Sequence, residues 1–157
     1  MTTATLACLP LLVALAFGAD DPFLDHLREA EGLRLEPYRD TLGWWTIGYG
    51  HRCHADQHPI TRAQAEVLLA QDAANARAIA RRIIPTLDTH PPAVRLAVES
   101  MAFQLGAKGL LGFANFRKHL EQRDYAKAAL DMVQSRWHAQ TPTRCRNLAA
   151  GVAKATP

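Results

Sequence analysis

The hydrophobic and polar positions divide this chain into one short β-patterned stretch set among helices. Asp21-Pro22 followed by FLDHLREAEG puts Leu24, Leu27 and Glu31 on one face at helical spacing. Asp21 suits the cap, Pro22 the first helical position, and Gly32 the left-handed residue that ends the helix. Glu31 then falls in the last turn. A β region follows, punctuated by Pro37 and Gly43, with Thr41-Leu42-Gly43 as a turn. In WWTIGYG, alternation sends Trp45, Ile47 and Tyr49 to one face, and Trp44, Thr46 and Gly48 to the other. Thr46 therefore shares a face with a glycine, which predicts room for a ligand beside the hydroxyl. Residues 61–84 form the longest helical pattern, opened by a Thr61/Gln64 capping box and closed by Pro85. Such a helix spans about 36 Å and is expected to bridge two lobes. PPAVRLAVESMAFQLG, LLGFANFRKHL, RDYAKAALDMVQS and TRCRNLAAGVA read as a cluster of helices with short joints. With strand pattern confined to one early segment, the class is α+β, mainly α.

Residues 1–19 carry no charged side chain. Their apolar stretch, residues 6–17, is short for a full membrane span and contains Pro10. Ala16-Phe17-Gly18 offers a small-x-small cleavage site, although no Lys or Arg precedes it. A helix packed on the domain is the alternative, but an all-round apolar segment has no polar face to show water. An export signal or a releasable membrane anchor is the reading carried forward, with residues 20–157 as the folded domain.

The 157 residues suffice for one domain with a sizeable core. Net charge is +3 and the pI about 9.0. The excess gathers at the end: Arg136, Arg144, Arg146 and Lys154 face no acid from residue 136 onward. A basic surface favours polyanions. No aromatic–basic interleaving or nucleic-acid motif is visible, so nucleic acid is not an expected partner. The cysteines, Cys8, Cys53 and Cys145, are too few for a disulfide scaffold, and their odd number leaves at least one unpaired within the chain. A Cys53–Cys145 bridge and free thiols both stay open.

The chemistry gathers in EGLRLEPYRDTLGWWTIGYGH. Glu31 precedes a glycine, Asp40 follows nine residues later, and Thr46 six after that. Two carboxylates on adjoining rigid elements are the minimum equipment for splitting a glycosidic bond. His51, Cys53, His54 and His58 invite a zinc reading, but their spacing fits no standard site. Neither a metal nor a cofactor is expected.

This run resembles the lysozymes (endolysins) of T-even tailed phages, glycoside hydrolase family 24. AVRLAVESMAFQLGAKGLLGFANF and SRWHAQTPTRCRNLA resemble that family's helical lobe in the same order and at similar spacing, so the likeness covers about residues 22–153. It implies a lysozyme-like two-lobed fold: a β lobe at about 33–60, a bridging helix at about 61–84, and a helical lobe at about 86–157 joined by helix 22–31. It also implies an enzyme, a bacteriolytic muramidase cleaving the β-1,4 bond between N-acetylmuramic acid and N-acetylglucosamine in peptidoglycan with inversion. By the resemblance Glu31 is the general acid, Asp40 the carboxylate across the sugar, and Thr46 the hydroxyl that holds the attacking water. Inversion requires the carboxyls to be about 6.5–9.5 Å apart. The resemblance puts Arg144 beside Glu31, where a cation would lower that pKa rather than raise it. Burial must offset this, or the pair must separate when substrate binds. Phe103 and Gln104 match the helical wall of the cleft. Asp131 and Phe116 fall at cleft-lining positions but differ in residue type from the family pattern. His51 would pair with Asp72. The segment between His51 and Ile60 is shorter than in the T-even proteins, so the small lobe's sugar-binding wall does not carry over. A monomer acting in the periplasm or at the cell wall, first tethered to the inner membrane through residues 1–19, completes the expectation. A catalytically silent peptidoglycan-binding module on the same fold is the alternative.

Overall fold

The computed structural model describes residues 21–156, so the reading of residues 1–19 lies outside the described residues. The elements run α1 (Pro22–Glu31), β1 (Arg34–Arg39), β2 (Trp45–Gly48), β3 (His51–Arg52), α2 (Arg62–Ile83), a 3₁₀ turn (Leu87–Thr89), α3 (Pro92–Gly112), α4 (Ala114–Glu121), α5 (Tyr125–Val133), α6 (Arg136–Gln140) and α7 (Pro142–Ala153). The expected α+β, mainly α class holds. None of the described helices is long and apolar enough to cross a membrane. The chain divides into two compact units at Ala74/Asn75, inside α2. This division groups α1 with the sheet, whereas the sequence reading grouped it with the C-terminal helices.

Within the first unit, Glu66 of α2 ties α1 to the β2–β3 turn. One of its carboxylate oxygens accepts from Arg28 Nε (3.1 Å) and Nη2 (3.0 Å) of α1. The other accepts from the Tyr49 hydroxyl (2.7 Å) in the β2–β3 turn. Burial alone would raise the Glu66 pKa, but the bonds from Tyr49 and Arg28 and the Arg28 charge outweigh it and leave it below the usual value. Phe23, Leu24, Leu27, Ile47, Ala65 and Leu69 of this unit are buried. Asp21 caps α1, accepting from Phe23 N (3.0 Å) and Leu24 N (3.4 Å). Gly32 ends it, but with φ 70° and ψ 163°, outside the left-handed helical region the sequence suggested. That conformation is essentially restricted to glycine.

The sheet order is β1-β2-β3, antiparallel throughout. Tyr38 pairs with Thr46 and Arg39 with Trp45, but Arg34 pairs with Gly48, so the register slips between Arg34 and Tyr38. Pro37 lies in that irregular stretch, where a residue without an N–H costs no ladder bond. α2 opens on the expected capping box: Gln64 N–H donates to Thr61 Oγ1 (3.2 Å), and Thr61 N–H to Gln64 Oε1 (2.8 Å).

The second unit is helix packed on helix. Val94, Met101, Leu110, Phe116, Leu120, Met132 and Val152 are fully buried. Gly151 of α7 comes so near α3 that an added Cβ would sit 3.5 Å from Ala93 Cβ. α3 is interrupted at Gly106 (φ 63°, ψ −174°), a conformation closed to other residues without strain. Near the start of the unit, buried His90 bonds the Tyr125 hydroxyl through Nδ1 (3.0 Å) and lies 3.3 Å from Thr86 Oγ1 through Nε2. Burial, then the charge of Arg123, holds the His90 pKa below its ordinary value. Cys53 and Cys145 are free thiols, so the bridge left open by the sequence is not formed. Cys145 is buried and donates to Met132 O at 3.3 Å; burial lifts its pKa to about 11.

Candidate active site

Asp40 organises the loop that carries it. Its backbone N–H donates to Trp44 O (2.9 Å), and its C=O accepts from Gly43 N (3.0 Å). The side chain folds back over the same loop: Oδ1 accepts from Leu42 N (2.9 Å) and Trp44 N (2.8 Å). An Asp opening a turn with a positive-φ glycine at its end (Gly43, φ 82°) is a recurrent three-residue hairpin solution. Arg39 Nη1 adds a bond to Gly43 O at 2.8 Å. Both amide bonds land on Oδ1, so the carboxylate is fixed in direction while Oδ2 is not used by the loop. The turn expected at Thr41-Leu42-Gly43 is therefore present, with Asp40 as its internal brace.

Thr46 is 4% exposed. Its Oγ1 lies 3.2 Å from Tyr38 O and 3.3 Å from Trp44 O. A hydroxyl has one proton and two lone pairs. With its proton directed to these carbonyls, the oxygen can act toward a further group only as an acceptor. The room expected beside it at Gly48 is not there. An added Cβ at Gly48 would sit 3.5 Å from Ala65 Cβ and 3.7 Å from Ile60 Cδ1, and φ is 66°. The glycine serves close packing against α2, because a positive-φ residue leaves the alternation that a regular strand would follow.

Glu31 is the final residue of α1 and is half-buried. Its Oε2 would lie 3.9 Å from a Cβ added at Gly50 (φ 87°). The β2–β3 turn thus carries a glycine where the carboxyl approaches the backbone. Glu31, Asp40 and Thr46 all belong to the first unit, presented by a helix end, a braced loop and a strand.

Behind them, His51 Nδ1 lies 2.8 Å from Asp72 Oδ2, joining β3 to α2 as the resemblance implied. The large hollow of this unit, about 860 Å³, is lined by Ile47, His51, Cys53, Ile60, Val67 and Leu68 among others. None of Glu31, Asp40 and Thr46 borders it, so its size is no guide to the chemistry. Among the described residues no three His, Cys, Asp or Glu side chains group as metal ligands.

In the second unit, Phe103 and Gln104 lie half-buried on α3, and Arg144 half-buried on α7. Gln104 Oε1 accepts from the Trp137 indole at 2.7 Å, which commits its carbonyl end and leaves the amide NH₂ as the group to offer. Asp131 Oδ2 pairs with His119 Nδ1 at 2.7 Å. Phe116, expected to line the cleft, is 0% exposed. Its ring is core, set edge-on against Phe113 at 6.2 Å, and cannot meet a sugar without unpacking. Sequence reasoning missed the Trp137–Gln104, Asp131–His119 and Glu66 contacts. The one usable signal was Trp137 in an amphipathic stretch, since a buried indole N–H needs an acceptor.

The model of the phage lysozyme family matches residues 28–151, a stretch that takes in Glu31, Asp40 and Thr46. Fold and family together define a lysozyme-type peptidoglycan hydrolase, a glycoside hydrolase. The chain belongs to the phage lysozyme family. It is 30% identical over 151 residues to the probable T4-type lysozyme 1 of Dictyostelium discoideum, covering 76% of this chain and 86% of that protein. An endolysin of Acyrthosiphon pisum secondary endosymbiont phage 1 is 30% identical over 109 residues, covering 69% of this chain and 73% of its own length. The SAR-endolysin of Enterobacteria phage P21 is 32% identical over 110 residues, covering 68% and 63%.

Proposed function

We propose that this protein is an endolysin that hydrolyses the β-1,4 bond between N-acetylmuramic acid and N-acetylglucosamine with inversion. Glu31 protonates the leaving oxygen. Asp40 takes a proton from the water that attacks the opposite face. Thr46 accepts the water's other hydrogen, because its own proton is engaged with Tyr38 O and Trp44 O. The observation that carries this reading is the Asp40 loop, in which two backbone amides hold one carboxylate oxygen and set the direction of the other. A base oriented this way loses little freedom in reaching the transition state. Phe103, Gln104 and Asp131 are proposed as glycan contacts, and the His51–Asp72 pair as a support for the hairpin.

The test is digestion of purified peptidoglycan by the parent enzyme and Glu31→Gln, with product masses. Loss of a general acid typically lowers rate by about 10²–10⁴-fold. The parent should give reducing muropeptides that have gained water. Anhydro products would replace hydrolysis with transglycosylation, and equal digestion by Glu31→Gln would remove the acid from its role. No turnover by either protein would favour the silent binding module.

The setting is the bacterial periplasm and cell wall. Residues 1–19 serve as the route of export and an initial inner-membrane tether, a reading supported by their uncharged apolar pattern and by the SAR-endolysin among the relatives. Fractionation of the full chain and one lacking these residues tests this; full-length, uncleaved protein found only in the cytosol would exclude it.

A further inference from the structure

Trp44 is 52% exposed, with Leu42 beside it at 77%. A tryptophan left this open on a small unit forgoes substantial burial energy, which makes its surroundings informative. Its backbone N–H is one of the two amides that hold Asp40 Oδ1 (2.8 Å), so the residue that carries the indole is tied through its backbone to that carboxylate. Trp44 and Thr46 fall on one face by strand alternation. Arg52 pairs across from Thr46, which brings Arg52 to the same face, diagonal to Trp44. Its guanidinium lies 4.4 Å from the centroid of the Trp44 ring. The contact is a cation–π stack that orients the indole and covers one of its faces.

Residues 53–61 add no helix or strand to this unit. The exposed aromatic ring of the Asp40 loop is Trp44, with Leu42 exposed in the same loop. We propose that Trp44 is a saccharide-stacking platform of the small unit, receiving the C–H face of a pyranose ring of the glycan strand, and that Arg52 is its positioning residue. The proposal rests on the reading of Asp40 as the base. A sugar is favoured over an anionic lipid headgroup because the loop that carries Trp44 also carries the Asp40 carboxylate, bonded to Trp44's own amide.

Steady-state kinetics on soluble peptidoglycan fragments test this with the parent, Trp44→Ala, Trp44→Tyr, Arg52→Ala and Asp40→Asn. Loss of one aromatic stack should raise KM roughly tenfold in Trp44→Ala, with kcat held within about twofold. Trp44→Tyr should restore most of that loss, and Arg52→Ala should raise KM by about two- to threefold. Adding the fragments to Glu31→Gln should shift tryptophan emission, and the shift should vanish when Trp44→Phe is added. An unchanged KM in Trp44→Ala, a fall in kcat at constant KM, or an emission shift that survives Trp44→Phe would each overturn the platform. So would Trp44-dependent binding to phosphatidylglycerol vesicles with no change in KM. Retained turnover by Asp40→Asn would instead sink the reading of the base, whatever Trp44 does.

Discussion

The two units solve the problem of holding a shape in different ways. The first is small and places its functional groups through polar contacts and positive-φ glycines: Asp40 on two amides, Glu66 between Arg28 and Tyr49, Gly43 and Gly50 at turns. The second buries a dense apolar core around Met101, Phe116 and Met132. Polar bonds fix direction, which catalysis needs; apolar packing supplies stability with little direction. Damage should therefore separate, with activity lost from the first unit and stability from the second.

Asp40→Asn is the sharpest probe of this separation. Asparagine keeps an acceptor for the Leu42 and Trp44 amides but cannot serve as base. Turnover should fall by about 10²–10⁴-fold, with thermal unfolding unchanged; a large drop in melting temperature would mean that the loop depends on the charge. Met132→Ala reverses the pattern. Removing a fully buried side chain should cost about 2–5 kcal/mol, read in denaturant unfolding, while kcat of the folded fraction stays near the parent's. Gly43→Ala falls between the two. The added Cβ meets nothing within 4 Å, so only the φ of 82° opposes it. A cost of about 1–2 kcal/mol is expected, together with reduced kcat as the Asp40 brace loosens. Unchanged kcat would show the brace to be dispensable.

The smallest effect concerns pH. His90 has its pKa depressed in the fold by burial and by Arg123. Its native state disfavours the proton, so its contribution is fully present above the ordinary histidine value of about 6.5. That contribution is lost as pH falls from there through the lowered native value. Glu66, also depressed, adds its loss at lower pH, below the ordinary carboxylate value. His90→Gln should flatten the decline in stability just below pH 6.5 and leave the more acidic decline in place, as measured by melting temperature across pH. An unaltered slope would clear His90 of that role.

Much of the first unit was legible because its signals are local. The Thr61/Gln64 box and Pro85 predicted a helix over 61–84, and α2 occupies Arg62–Ile83. Thr41-Leu42-Gly43 predicted a turn, and one is present there. What could not be read was set by distant neighbours. Gly48 looked like open space until Ala65 and Ile60 filled it. Phe116 falls at a cleft-lining position by the resemblance but departs from the family pattern in residue type, and its ring is fully buried. Glu66, near the start of the long helical run, carried no hint that α1 and the β2–β3 turn both fasten to it.

Gly106, with its non-helical backbone, kinks α3 and divides Pro92–Gly112 into two helical stretches. Opening on one side of such a break need not spread to the other. In amide hydrogen exchange the two stretches should then report as separate cooperative blocks. The amides before Gly106 sit with the buried Val94–Met101 face and exchange last, while the short stretch ending at Gly112 opens on its own, earlier schedule.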